Sequence, residues 1–348
     1  MKDSKIEWCD HTFNPWIGCT KVSPGCANCY AEARDQRFAG GAHWGPGAPR
    51  QLTGPANWKQ PLKWDEAARQ RDLVSYGLAG VKYTRPRVFC ASLADWLDDE
   101  VPIEWLASLL SLIKETPNLD WLLLTKRPEN FARVLQVGCR LESDPKWGEL
   151  PNDHPAVKLH SWIGDWTILG KAPMNVWIGT TVEDQTRADI RIPALLKIPA
   201  KVRFLSCEPL LGPVDLRFPM TEDEEIVPFP LIPPAELPTN SIHWVICGGE
   251  SGQHARPMHP DWAISLCDQC EAASVPFLFK QWGEWVSAGC EAFGKVAPKA
   301  ITWIRHDGSR WPHPQEDENA DCLTCSMVGK KAAGRLLCNQ EHNGFPTP

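Results

Sequence analysis

Apolar residues along this chain gather into short runs, each closed by a polar cluster. RVFCASLAD (87–95), DWLLLTKRP (120–128), NVWIGTTVED (175–184), KVRFLSCEP (201–209), HWVICGGESG (243–252) and PFLFKQWGE (276–284) are nearly continuous and rich in β-branched or aromatic residues, the pattern of strands buried on both faces. Between several of them the apolar positions change to helical spacing, in VPIEWLASLLSLIKETP, PENFARVLQ, EDQTRADIRIPALLKIP and HPDWAISLCDQCEAASV. Strand alternating with helix predicts an α/β protein with a parallel sheet. Counting the run that leads into Cys19 as the first strand gives about seven βα units, hence a full or partial (β/α) TIM-like barrel of about six to seven parallel strands. Active-site residues of such barrels lie at the C-terminal strand ends. That rule gathers Ser92, Asp95, Lys126, Arg127, Thr181, Glu183, Asp184, Glu208, Glu250, Ser251 and Lys280 around one mouth. Taken singly, each also reads as a helix cap or a surface ion pair.

Where the alternation breaks, the composition changes. Residues 40–62 are rich in Gly and Pro and read as a long loop over the mouth. Residues 140–172 and 217–240 read as insertions, the second acidic and proline-rich, and neither carries a catalytic pattern. The expected organisation is a barrel over 1–285 with these insertions and an appendage over 286–348 packed on it, in which SMVGKKAAGRLL is a short basic helix. Most of the 18 Trp read as packing, while Trp44, Trp58 and Trp282 lie in loop-like contexts suited to stacking on a planar ligand.

A length of 348 residues with 43% hydrophobic content is enough for a large core. The formal charge of −7 argues against a surface that grips nucleic acid throughout, since phosphate binding needs clustered Lys and Arg; a local basic pocket is compatible with it. No stretch approaches the roughly 20 apolar residues of a membrane span, and the N-terminus lacks a signal-peptide run. A cytoplasmic protein with no membrane partner is expected. Thiols stay reduced in that compartment, so the 14 cysteines read as ligands or packing residues rather than disulfides. Cys90, Cys139, Cys207 and Cys247 sit alone in apolar runs and behave as small hydrophobes. Cys267 and Cys270 fall on an expected helix. Cys322 and Cys325, in CLTC, with Cys338 offer three thiols to a zinc ion but no evident fourth ligand.

GCTKVSPGCANCYAE (18–32) is different. Cys19, Cys26 and Cys29 follow one another at C-x6-C-x2-C, with Pro24 and Gly25 turning the chain and Cys26 and Cys29 expected to open a helix, whose N-terminus stabilises thiolates. A structural zinc site wants four closed ligands, and Cys9 and His11 are the nearest candidates for the fourth. A four-iron, four-sulfur cluster held by three cysteines instead leaves one iron open to a small molecule, and a position after the first strand favours it.

Three cysteines after the first strand of a (β/α) barrel resemble the radical S-adenosylmethionine (SAM) superfamily. The chain resembles more closely a phage- and prophage-associated family of three-cysteine-motif proteins of unassigned role. The likeness covers nearly the whole chain and rests on SKIEWCDHTFNPWIGCTKVSPGCANCYAE, LTKRPEN, VWIGTTVEDQ, RFLSCEPLLGPVDL, CGGESGQHARPMHPDW, FKQWGEW and VGKKAAGRLL. It implies that Cys19, Cys26 and Cys29 each bind one iron of a [4Fe-4S] cluster and that SAM chelates the fourth. An external electron donor would then drive SAM cleavage to a 5′-deoxyadenosyl radical, which modifies or repairs a nucleotide or nucleic-acid component. Phage and defence functions are often encoded as neighbouring pairs, which adds a partner protein encoded nearby to the expectations.

The commonest superfamily spacing is C-x3-C-x2-C with an aromatic before the last cysteine; here the first gap is six, Asn28 takes that place and Tyr30 follows Cys29. The Gly-Gly-Glu that holds the SAM amino group normally follows the second strand. Here Gly248, Gly249 and Glu250, with Ser251, follow what counts as the sixth, and they are assigned to SAM or substrate contact without choosing; after the second strand Ser92 and Asp95 are the alternatives. Lys126, Arg127 and Arg256 suit the SAM carboxylate or a substrate phosphate. Glu183, Asp184 and Glu208 suit ribose hydroxyls, Lys280, Gln281 and Trp282 complete the mouth, and the catalytic candidates are Lys126, Glu208 and Lys280. The alternative is a non-catalytic barrel that binds a ligand or partner, stabilised by zinc on Cys9, Cys19, Cys26 and Cys29.

Overall fold

The computed structural model describes residues 2–75, 84–217, 241–311 and 322–347. Seven strands, β1 (His11–Phe13), β2 (Arg87–Cys90), β3 (Asp120–Thr125), β4 (Val176–Thr181), β5 (Val202–Cys207), β6 (Trp244–Gly248) and β7 (Phe277–Gln281), stand side by side in chain order. Their register is parallel, with His11 opposite Val88, Arg87 opposite Asp120, Phe204 opposite Trp244 and Val245 opposite Phe277. Every residue of β4, β5 and β6 is buried, which is why these runs are continuously apolar rather than alternating. The sheet ends at β1 and β7. The protein is therefore mixed α/β with a seven-stranded parallel sheet, and no strand pairing among the described residues closes it into a full barrel.

The first strand differs from expectation. It ends at Phe13, six residues before Cys19, and Trp16–Ile17 pair antiparallel with Gln51–Leu52 instead of extending the sheet. Pro15 lies at the break and has no N–H to give to a ladder.

The chain forms two compact units. One comprises residues 1–21, 31–179 and 197–201. Its helices are α1 (Tyr30–Ala39, from Ala31 onward), α2 (Gln60–Ser75), α3 (Ile103–Glu115), α4 (Ala132–Glu142) and α5 (Pro155–Thr167). Helix α3 buries Leu106, Leu109, Leu110 and Ile113, the stripe at i, i+3, i+4 and i+7 that an amphipathic helix turns to a core. The 40–62 segment is only partly loop, since it holds Gln51–Leu52, a short helix Pro55–Trp58 and the start of α2; the 140–172 insertion holds the end of α4, a 3-10 turn Trp147–Glu149 and α5.

The other unit comprises residues 22–30, 180–196 and 202–348, with helices α6 (Gln185–Leu196) and α7 (Pro260–Ala272). Pro260 opens α7 and His259 Nδ1 accepts from the Asp261 amide at 3.3 Å, a proline-led, side-chain-capped start. The tail builds a second, antiparallel sheet from β8 (Trp285–Ser287), β9 (Ala300–Arg305), β10 (Arg310–Trp311) and β11 (Cys322–Met327), ordered β8-β11-β9-β10. The expected basic helix near the end is one short turn, Lys330–Ala333. Beyond it, Phe279 donates to the His342 carbonyl and Gly344 to that of Phe277, covering an edge strand that would otherwise present unpaired backbone groups. Of the acidic 217–240 insertion, residues 218–240 lie outside the described residues. Among the described residues no helix is long and apolar enough to cross a membrane.

Candidate functional site

The segment with the three cysteines begins in one unit and ends in the other: Cys19 belongs to the first, Cys26 and Cys29 to the second. The helix expected to open at Cys26 starts at Tyr30. Cys26 closes a single 3-10 turn, Pro24–Cys26, and Cys29 directly precedes α1. Asn28 supplies the reason for the delay: its Nδ2 donates to Glu250 Oε2 at 3.0 Å and to the His254 carbonyl at 2.7 Å, tying the chain down before the helix begins.

In the first unit, Cys19 is clamped on both sides through its backbone. Gly18 N–H donates to the Leu93 carbonyl at 3.2 Å and the Cys19 carbonyl accepts from Gly45 at 3.0 Å. Gly18 has φ +115°, and a Cβ there would collide with the carbonyl of His43, so only glycine admits this path. The thiol faces a buried guanidinium: Arg127 Nη1 lies 3.6 Å from Cys19 Sγ and 3.1 Å from Asp95 Oδ2, while Nη2 donates to the Thr20 carbonyl at 2.7 Å. Asp95 is itself fixed by Thr125 Oγ1 at 2.7 Å and by the amides of Leu97 and Lys126 at 3.0 and 2.9 Å. Burial pushes the Cys19 thiol up to about 12, Asp95 adds to this, and Arg127 works against it. Arg50 stands behind the loop, paired with Asp98 at 2.8 Å and donating to Thr20 Oγ1 at 2.8 Å and to the carbonyls of Gly45 and Ala48.

In the second unit, two buried carboxylates hold the turn that carries Cys26 and Cys29. Glu183, fully buried, accepts from Gly25 N–H at 3.2 Å and from Arg191 Nη1 at 2.7 Å. Glu250 takes Arg256 by two side-chain nitrogens, at 2.8 and 2.5 Å, and by its backbone amide at 2.8 Å, together with Asn28. Arg256 then reaches the Pro24 carbonyl at 3.0 Å. Burial alone would raise the Glu250 pKa; the hydrogen bonds from Arg256 and Asn28 outweigh it and hold the carboxyl below its ordinary range.

The remaining expected residues divide by what they touch. Asp184 accepts from the Arg187 amide at 2.9 Å in the first turn of α6, a capping role. Ser92 is bonded to Asn14, which also receives the Leu93 amide at 2.7 Å. Gly248 and Gly249 sit where neighbouring chain comes close: a Cβ on Gly248 would lie 3.4 Å from Glu208 Cδ, and one on Gly249 would strike the carbonyl of Trp282. Glu208 accepts the Lys280 ammonium on both oxygens, at 2.7 and 2.9 Å, and Gln281 Nε2 at 3.1 Å. The side-chain oxygens of Thr181 and Gln281 are buried without a hydrogen bond. Lys126 and Ser251 are half-buried, and no described residue engages the Lys126 ammonium. Trp58 packs edge-on against Phe13 and Trp282 donates to the Leu336 carbonyl at 2.8 Å, so both serve packing; Trp44 bridges to the Cys19 backbone.

Arg50, Asp98, Asn14 and Arg191 were not singled out from the sequence. Their one local signal is an ionisable or amide residue set among apolar or Gly/Pro-rich neighbours, which does not name a partner 8 to 79 positions away.

Among the described residues no three His, Cys, Asp or Glu side chains form a preformed metal-ion cage. The donors present are three part-exposed thiols on one short segment, with a guanidinium beside the sulfur of Cys19; thiols are the ligand type that an iron–sulfur cluster would take. The fourth ligands considered for zinc are engaged elsewhere: Cys9 is buried with its thiol on Ser4 Oγ, and His11 stacks on Trp64 and accepts from the Asp3 amide. In the tail, Cys322 and Cys325 stand three apart on β11, so they point to opposite faces and cannot share one ion without leaving the strand.

A family model described as Protein of unknown function (DUF5131) matches residues 3–346. No curated protein and no solved structure matches the chain.

Proposed function

The chain belongs to the DUF5131 family, and we propose that it is a radical SAM-type iron–sulfur enzyme, with Cys19, Cys26 and Cys29 as ligands of a [4Fe-4S] cluster and SAM on the open iron. The observation that carries this reading is the support under the thiol segment: Arg127 against Cys19, and Glu183 and Glu250 beneath the Pro24–Asn28 turn. Burying a charge is costly unless it is paired. A loop whose thiols merely filled space would need none of these groups, whereas a ligand loop has to be held to a fixed geometry.

When bound, the cluster and SAM would supply one-electron cleavage of the sulfonium and a 5′-deoxyadenosyl radical for hydrogen abstraction. The chain's own residues do the positioning. Lys126, whose ammonium no described residue engages, is the cation for the SAM carboxylate or a substrate phosphate. Ser251, half-buried after β6, is a hydroxyl for SAM or substrate contact. The Glu208–Lys280 pair, held at 2.7 Å, orients a polar group of the substrate and is the place to hold a proton. Gln281, fastened to Glu208, keeps that pair in place. The substrate class carried by the resemblance is a nucleotide or nucleic-acid component, and an external reductant is required.

The test is electron paramagnetic resonance on anaerobically reconstituted, dithionite-reduced protein, with and without SAM. The expected result is a reduced-cluster signal that changes shape when SAM is added. Stoichiometric zinc with no cluster signal would overturn the proposal in favour of a metal-stabilised binding protein.

A further inference from the structure

Arg127 is a cationic group in hydrogen-bonding contact with a thiol of the three-cysteine segment, and it is not free to leave. Its two terminal nitrogens are divided among Cys19 Sγ at 3.6 Å, Asp95 Oδ2 at 3.1 Å and the Thr20 carbonyl at 2.7 Å. Asp95 is locked in turn by Thr125 and by two backbone amides. Arg127 is 4% exposed, so water screens its charge at the sulfur little. A clamp for the Thr20 carbonyl alone would need neither the contact with sulfur nor a buried charge.

We propose that Arg127 is a positioning residue that sets the reduction potential of the cluster by donating to the sulfur of Cys19; this rests on the cluster reading of the preceding subsection. Adding one electron to a cluster increases the negative charge on its sulfurs. A donor and cation at a ligand sulfur therefore stabilises the reduced form more than the oxidised form and raises the potential. Asp95, the anion nearest to Arg127, opposes this, but the guanidinium stands between the carboxylate and the sulfur in its bonding pattern. Arg127 thus acts through Cys19 and is not itself a group that must touch substrate.

The experiment is a potentiometric titration of the reconstituted cluster, followed by absorbance and electron paramagnetic resonance, in the wild-type chain, Arg127→Lys and Arg127→Gln. The expected result is a more negative potential in both variants, with the larger displacement in Arg127→Gln, which loses the charge as well as the fork. A purely structural role would alter iron content or thermal unfolding and leave the potential of the loaded fraction unmoved. Folded, loaded variants with the wild-type potential overturn the assignment. If Arg127→Gln fails to load, Arg127→Lys decides by the same criterion. A wild-type chain that takes up no cluster refutes the preceding reading instead, so the two failures are distinct.

Discussion

Glu250 holds Arg256 through both carboxylate oxygens, and Arg256 passes that hold to the Pro24 carbonyl of the cysteine-bearing turn. The acid of the Gly-Gly-Glu run is thereby occupied in supporting the thiol segment, with the Arg256 amide and Asn28 as further donors. Glu250→Ala removes one partner of a buried, hydrogen-bonded pair and is expected to cost about 3 kcal/mol of unfolding free energy, while Glu250→Gln, which keeps an acceptor, costs less. Urea unfolding gives the stability, and iron per chain after reconstitution reads the turn; both should fall in the same order. Full iron uptake by Glu250→Ala would show that the turn holds itself.

Gly18 sits at φ +115° with the His43 carbonyl where a Cβ would be. Gly18→Ala should therefore destabilise by about 1–3 kcal/mol and displace Cys19, its chain neighbour. Chemical denaturation checks the first effect and iron stoichiometry the second. A variant with wild-type values of both would remove the backbone constraint from the account of Cys19.

Cys26→Ala should abolish SAM cleavage, measured as 5′-deoxyadenosine formed under reducing conditions, and should lower the iron bound. Cys139, exposed on α4, is the control: Cys139→Ala should leave both unchanged. An unaltered rate in Cys26→Ala would sink the radical SAM assignment.

Asp120 opens β3 with its carboxyl buried, and burial pushes its pKa up to about 6 against the partial counter-pull of Arg85. The ordinary value is 3.8, so on raising the pH the unfolded chain ionises first. Stability is lost as pH rises from about 4 through about 6, by at most about 3 kcal/mol, since each tenfold in ionisation is worth about 1.4 kcal/mol. Asp120→Asn does not titrate. Relative to wild type it should gain stability between pH 4 and pH 7.5 in unfolding titrations at the two values, and a gap that is the same at both would contradict the burial cost.

Much of the fold was legible in the order of residues. The six continuous apolar runs became β2 to β7, and the helical stripes became α3, α4, α6 and α7, because burial on two faces or on one stripe leaves a local period that the chain displays directly. The misses have local causes that periodicity does not record: Pro15 ended β1 early, and Asn28, bonded to a residue 222 positions away, delayed α1. Chemistry followed the same division. The spacing of Cys19, Cys26 and Cys29 is a property of the sequence, as is a charged residue at each strand end. Which charges meet is not. Arg127 finds Cys19 from 108 positions away, Gly25 finds Glu183 from 158, and Arg50 finds Asp98 from 48. Residue types and their spacing determined the strands, the helices and the three thiols. Only the tertiary structure decided that Asp95, Glu183 and Glu250 brace the thiol segment, because a buried carboxylate needs a donor or cation within about 3 Å, and that distance is set by how the chain folds back on itself.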